Sequence, residues 1–352
     1  MADRWQAAGL EAFTTALFAA AGFDEEKARV TARLLVAADT MGHTTHGLQL
    51  AGPYLDDARN RRIPVTGEPE VVAQTPATLV WDGRYLPGLW LTDKAMGEAI
   101  ERARKLGVGV VSIRRSHHIG CLATFLERAT DQGMMAMVIS SDPSVVSVAP
   151  FGGTRPVMTP NPMAVGIPTD ADPILIDISA SITTNGLSAR MAAEGRRAPQ
   201  PWYVDAGGRP TDDPAVVTAA PPGAILPIGG TDHGHKGYGL GLMIEALTQG
   251  LSGLGRSGTP VQWGAAVFVQ VFDPAAFGGA GAFAHELGWL RRSCEGSPPM
   301  QGFEKVRLPG DAALARRRKA LAEGVELYPG IMDRLRREAA QLGVPVPPAL
   351  AG

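Results

Sequence analysis

The chain has 352 residues, enough to bury a large core in two or three structural units without disulfide staples. Lys and Arg number 33 against 35 Asp and Glu, a formal net charge of -2, so there is no global basic field to hold nucleic acid or an anionic membrane, and a small-molecule partner is expected. Cys121 and Cys294 make neither a disulfide framework nor a CxxC clip, no apolar run reaches membrane-spanning length, and the charged start MADRWQAAGLEAF lacks a secretory apolar core; a reducing, cytoplasmic setting is the expectation.

Apolar residues recur at helical spacing over 5–21 and 24–41, separated by Gly22, with Asp24 ahead of Glu25 and Glu26 as the expected N-cap. The spacing predicts a helical hairpin ending near Met41 and Gly42, which leaves His43-Thr44-Thr45-His46-Gly47 at a helix exit where polar side chains can face a cleft. After a Pro- and Gly-bearing stretch over 63–78 comes a predicted helix from about Asp93 to Lys105, stopped by Gly107, and then the strand VGVVSI at 108–113. A second unit follows: a loop with Ser116, His117 and His118, a predicted helix to about Gln132, then Gly133 and the strand MMAMVIS at 134–140. This alternation argues for an α/β region. PFGGTRPVMTPNPMAVGIPT and PILIDIS read as loops and strands, AAEGRRAPQPWYVDAGGRPTDDP as turns, and GHKGYGLGLMIEALTQGLSGLG as a glycine-rich entry to a buried helix. The tail from Pro309 to Leu342 is charged and amphipathic, and there is no internal repeat.

Six of the seven histidines fall in close sets: His43 with His46, His117 with His118, and His233 with His235. The residues alone leave three explanations open. Each histidine can be a solvated or capping loop residue; the HxxH and HxH spacings can chelate a metal, although no HExxH, cysteine pair or carboxylate set accompanies them; or the sets can serve redox chemistry with a nicotinamide cofactor. That chemistry needs a proton donor, a polarising group and a cradle for pyrophosphate. His46 titrates near neutrality and the adjacent Thr45 hydroxyl can orient it. His118 stands just ahead of a predicted helix whose free N–H groups favour an anion. Lys236, among Gly234, Gly237, Gly239 and Gly241, can reach phosphate or ribose where backbone comes close. No GxGxxG follows the first predicted strand and no GxxxxGK[ST] occurs, so neither a Rossmann fingerprint nor a P-loop accounts for a cofactor.

The chain resembles the type 2 malate/L-lactate dehydrogenases, a family that includes ureidoglycolate and sulfolactate dehydrogenases, diketogulonate reductase and piperideine-2-carboxylate reductase. The resemblance runs through MGHTTHG at 41–47, SHHIG at 116–120, SDP at 141–143, PFGG at 150–153, TPNP at 159–162, DISAS at 177–181, PWYVDAGGRPTDDP at 201–214, GHKGYGLGLMIE at 234–245 and RLPGD at 307–311. It implies a non-Rossmann α/β fold: a helical substrate and dimer domain from 1–75 plus 312–352, and a cofactor-binding α/β region at 76–311 with room for a subdomain at about 130–220. It implies a homodimer with shared active sites and NAD or NADP as cofactor.

By position, His46 resembles the family's acid/base histidine, with Thr45 where a serine is usual. The residue matching His118 is the proton acceptor in some members, so both histidines stay open, with His46 favoured. The resemblance assigns cofactor contacts to His118, Ile119, Gly120, Cys121, Leu122, Ser141, Asp177, Ile178, Ser179, Lys236, and the segment from Gly310, including Arg316. It assigns substrate contacts to Thr159, Asn185 and Gly186, and no metal. Two positions depart from the family: Leu50 replaces a common arginine four residues after His46, and Leu187 a common Asp or Lys. With both polar anchors apolar, the expectation is hydride transfer to or from a carbonyl or imine carbon of a substrate other than malate or lactate. The rivals are a binding protein that has lost catalysis and a histidine–metal hydrolase.

Overall fold

The computed structural model describes residues 3–350. From the N-terminus, β1 (Arg4–Trp5), α1 (Ala7–Ala20), α2 (Glu25–Thr40) and α3 (Ala51–Arg59) precede the sheet. The predicted hairpin is present, but Asp24 does not cap α2 with its side chain. Its carboxylate instead accepts from Lys27 Nζ at 2.7 Å. Lys27 is buried against the Trp90 ring, and a buried ammonium needs a counter-charge more than the helix start needs one more acceptor.

The middle of the chain carries β2 (Glu70–Gln74), β3 (Thr78–Asp82), α4 (Gly88–Leu106), β4 (Val108–Ser116), α5 (Glu127–Thr130), β5 (Met135–Ser141), β6 (Pro162–Ile167) and β7 (Ile174–Ser179). After α6 (Asn185–Ala193), the short strands β8 (Tyr203–Val204), β9 (Pro210–Thr211) and β10 (Ala224–Ile225) form their own sheet. Then come α7 (Gly230–Glu245), β11 (Ala265–Phe272), α8 (Ala280–Glu295), α9 (Asp311–Glu323), β12 (Val325–Glu326) and α10 (Ile331–Leu342).

The main sheet runs β2-β3-β4-β11-β5-β6-β7, parallel at β3–β4 and antiparallel at its other pairings. A mixed sheet of this order is α/β but not the doubly wound parallel sheet of a Rossmann domain. β11 lies in the middle although it comes late in the chain. Val267, Val269 and Val271 face the core shared with α4, while Phe268 faces Ile139 and Ile244 on the α7 side, the period-2 alternation of a strand covered on both faces. The two chain ends are tied together by β1–β12 pairing and by α1 against α10. Among the described residues no helix is long and apolar enough to cross a membrane.

Three elements differ from the sequence expectation in ways that shape the site. α4 begins at Gly88 rather than near Asp93, and a Cβ on Gly88 would lie 2.1 Å from the His117 carbonyl oxygen, so its start presses on the histidine loop. The helix expected to run to Gln132 is only a single 3-10 turn at Leu122–Phe125 followed by α5. The glycine-rich α7 is interrupted at His233 (φ -122°, ψ 15°) and is not buried all round: Gly234, Gly237 and Gly241 face inward while Leu242 and Met243 are exposed.

Candidate active site

A cleft of about 630 Å³ opens between the loop after α2, the loop after β4, β7 and the start of α6. It gathers most of the residues singled out from the sequence: Thr45, His46 and Leu50; His118 to Leu122; Ser141 and Thr159; Asp177 to Ser179; and Asn185 to Leu187. His43 and Trp263, not assigned a role from the sequence, are also in its wall.

Lys236, Gly310 and Arg316 lie outside this wall. Lys236 is exposed on α7, nine residues before Glu245, or roughly 13 Å along the helix at 1.5 Å per residue. Glu245, on α7, accepts from the wall residue Ser141 through its Oγ at 3.0 Å. Gly310 precedes α9 at φ +98° and packs against Leu175, the strand neighbour of Asp177 by two residues. The Arg316 side chain covers Gly42, behind the His43 loop.

Thr45 Oγ1 and His46 Nδ1 share a hydrogen bond of 2.8 Å. This fixes the imidazole and leaves Nε2 without the hydroxyl as a partner. Burial, reinforced by the charges of His43 and Arg190, lowers His46 from 6.5 to about 4, so the ring is neutral at pH 7. The His118 ring stacks at 6.0 Å from that of His46 and at 4.9 Å from Trp263. Gly120 donates its N–H to His118 Nδ1 at 3.2 Å, and the Tyr54 hydroxyl lies 2.7 Å from the same nitrogen. An N–H can only donate, so Nδ1 accepts and neutral His118 carries its proton on Nε2. Burial holds His118 well below its ordinary value, with the His46 and His117 charges adding. His117 points away from the pair: it is buried, with Nε2 3.0 Å from Asp57 Oδ2, and Asp57 also takes Arg62 at 2.6 Å. His233 and His235 are exposed on α7 beside Phe151, so the three sets do not converge on one centre.

The loop bearing Thr45 and His46 is held from beneath and from the side. Asp39, near the end of α2, accepts the Leu48 N–H at 2.7 Å through Oδ2, while its buried Oδ1 has no partner among the described residues. Gly47 lies so close that a Cβ there would be 2.4 Å from Oδ2. Burial raises Asp39 from 3.8 to about 7, opposed by the Leu48 N–H and the Arg190 charge. Arg190, on α6, donates to Thr44 Oγ1 at 3.1 Å and Gln49 Oε1 at 2.6 Å and stacks at 3.7 Å over Tyr328, so it brackets the Thr45–His46 pair. Arg59, at the end of α3, is taken by Asp56 at 2.7 Å and Glu338 at 2.6 Å.

The anion cradle expected at a helix start after His118 takes another form. The Ala123 N–H is donated to Asp177 Oδ2 at 3.0 Å, so a carboxylate of this chain already occupies that donor. The cleft nevertheless fits a dinucleotide's reacting end. Its volume lies within the roughly 300–1,000 Å³ usual for cofactor sites. Asn185 Oδ1, in a wall residue, is buried without a partner among the described residues, an acceptor waiting for a donor such as a carboxamide or hydroxyl. His43, Cys121 and Asp177 also each bring one ligand-capable atom within 4.8 Å of the others.

The family model for malate/L-lactate dehydrogenase matches residues 5–336. The chain is 34% identical over 338 residues to a (2R)-3-sulfolactate dehydrogenase (NADP(+)) of Chromohalobacter salexigens, covering 94% of this chain and 96% of the relative. Its fold is similar to malate dehydrogenase from Entamoeba histolytica, with a TM-score of 0.92 at 25% identity, covering 99% of this chain and 100% of that one. It is also similar to delta1-piperideine-2-carboxylate reductase from Pseudomonas syringae pvar. tomato, with a TM-score of 0.83 at 29% identity over 96% and 99% of the two chains.

Proposed function

This chain belongs to the malate/L-lactate dehydrogenase family, and from that premise we propose that it uses His46, oriented by Thr45, to move a proton to or from a small substrate during nicotinamide-dependent oxidation or reduction of a carbon–oxygen or carbon–nitrogen bond. The observation that carries this is the 2.8 Å Thr45–His46 contact in the wall of the same cleft that gathers His118 to Leu122 and Asp177 to Ser179.

A bound nicotinamide, of NAD or NADP, would supply the hydride acceptor or donor. His118 to Leu122, Ser141 and Asp177 to Ser179 would hold it, with Lys236, Gly310 and Arg316 as outer contacts. In the oxidative direction His46 Nε2 must be free to accept the substrate hydroxyl proton, so Nδ1–H donates to Thr45 Oγ1. In the reductive direction the imidazolium gives the Nε2 proton to the developing alkoxide or amide nitrogen. The depressed value of His46 keeps it ready to accept a proton in the open cleft, and a negatively charged ligand beside it would raise that value toward neutrality. Thr159, Asn185 and Gly186 face the substrate, and Leu50 and Leu187 give it an apolar wall where an arginine fork would grip a carboxylate. This favours a substrate with an apolar body over malate or lactate. Arg190, tied to neutral acceptors, is the cation whose charge reaches His46. We also propose a homodimer, the commonest closed assembly.

The test is fluorescence titration of the purified protein with NADH and NADPH, followed by turnover on 2-oxo acids, cyclic imines and carboxylate-free ketones. Millimolar cofactor that fails to bind would end the reading. Binding without turnover across the panel would identify a binding protein that has lost catalysis.

A further inference from the structure

Three segments far apart in the chain meet at one point in the cleft wall. His43 leaves α2 after Gly42, Cys121 follows the β4 loop, and Asp177 is on β7. Each presents a different donor type, and the three ligand-capable atoms lie within 4.8 Å of one another. The Cys121 Sγ to Asp177 Oδ2 distance is 3.6 Å. Zinc bonds of about 2.3 Å to sulfur and 2.1 Å to oxygen, at a tetrahedral angle, put those two ligands about 3.6 Å apart. The sulfur–carboxylate pair, joined here by an S–H to carboxylate hydrogen bond, therefore already has the required separation, and His43, half-buried on a loop, lies within 4.8 Å of both.

We propose that His43, Cys121 and Asp177 form a binding site for a soft divalent cation, Zn²⁺, and that its occupation excludes the dinucleotide from the cleft. The exclusion rests on the cofactor reading of residues 118–122 and 177–179, whereas the metal site does not. A thiolate with an imidazole selects zinc over magnesium or calcium. Three protein ligands facing a cleft leave a fourth position for water, the open form of a zinc site. Binding is written as Zn²⁺ plus Cys121–SH giving Cys121–S⁻–Zn²⁺ and one released proton, with a further proton released where Asp177 starts protonated. Affinity therefore rises with pH.

The probe is Co²⁺ titrated into the purified full-length protein after chelator treatment. One equivalent should produce a thiolate-to-cobalt charge-transfer band with intensified tetrahedral d–d bands, and Zn²⁺ should bleach both. Cys121→Ala should abolish the charge-transfer band, Asp177→Asn should weaken Zn²⁺ binding on the order of 100-fold, at or beyond the 10–100-fold typical of losing an outer-shell partner, and Cys294→Ser should change neither. Circular dichroism confirms that the variants fold, and Asp177→Asn keeps the test open if Cys121→Ala does not. Saturating NADH should suppress the cobalt bands. A missing band, a band that survives in Cys121→Ala, or a band lost in Cys294→Ser overturns the site. Cobalt bands unchanged by NADH, in a protein shown by fluorescence to bind NADH, overturn the exclusion alone. Failure of NADH to bind counts against the functional reading and leaves the metal result standing.

Discussion

Asp39→Asn tests how the loop bearing Thr45 and His46 is held. The carboxyl is 5% exposed, and burial raises it from its ordinary 3.8 to about 7. Between those values the folded chain keeps a proton that the unfolded chain releases, so this group's stabilising contribution is full below pH 4 and is lost as pH rises to 7. A shift of about three units at about 1.4 kcal/mol each makes the loss about 4 kcal/mol by pH 8. Asparagine has nearly the same shape, keeps an oxygen for the Leu48 N–H and cannot ionise. The variant and wild type should therefore match near pH 4, with the variant more stable by about 3 to 4 kcal/mol at pH 8. His46 contributes in the opposite sense, since its lowered value makes stability rise as pH climbs from 4 to 6.5. That term is common to both proteins and cancels in the difference. The assay is urea unfolding at half-unit pH steps. A constant difference across pH would refute both the buried-carboxyl account and the loop support built on it.

Thr45→Ser should keep kcat within a few-fold, because the hydroxyl remains on His46 Nδ1. Thr45→Ala should lower kcat by roughly 10-fold or more with little change in cofactor affinity, read by steady-state kinetics and fluorescence. Arg190→Met removes a charge that lowers His46, so the acid limb of kcat/KM for oxidation should move upward from about 4 toward 6.5, and an unmoved limb would show that Arg190 acts only by packing. Leu50→Arg should improve kcat/KM for pyruvate or oxaloacetate by at least 10-fold, the scale of about 1.4 kcal/mol from a charge-assisted pair. Efficient wild-type turnover of either acid with no gain from the arginine would show that the apolar wall does not set specificity.

The short motifs located the cleft because each carries its chemistry within a few residues: Thr45 beside His46, His118 before Gly120, and Asp177 on a strand end. Partnerships across the chain had no such signal. Nothing local to Asp177 shows that it takes the Ala123 N–H, which removes the helix-start anion site that His118 suggested. His117 resembles His118 in sequence, yet Asp57 claims it and Tyr54 and Gly120 claim its neighbour. β11 follows a turn-rich stretch with no periodic approach, and its place in the sheet centre is set by pairing with β4 and β5 rather than by local pattern, which also fixes where Trp263, two residues ahead of it, enters the cleft wall. Leu50 and Leu187 stood out as missing anchors, while the bracketing role of Arg190 depends on α6 crossing the loop of residues 44–49.

The central claim is that His46 handles the proton while the surrounding cleft holds the cofactor. Its most direct test compares His46→Ala and His118→Ala with wild type, measuring kcat for NAD(P)H-dependent reduction of the best substrate and the dissociation constant of the cofactor for each protein. The expected result for His46→Ala is a loss of about 10² to 10⁴ in kcat with cofactor affinity changed by less than about 3-fold, while His118→Ala mainly weakens the cofactor. A His46→Ala protein that turns over like wild type while His118→Ala is inert would contradict the assignment.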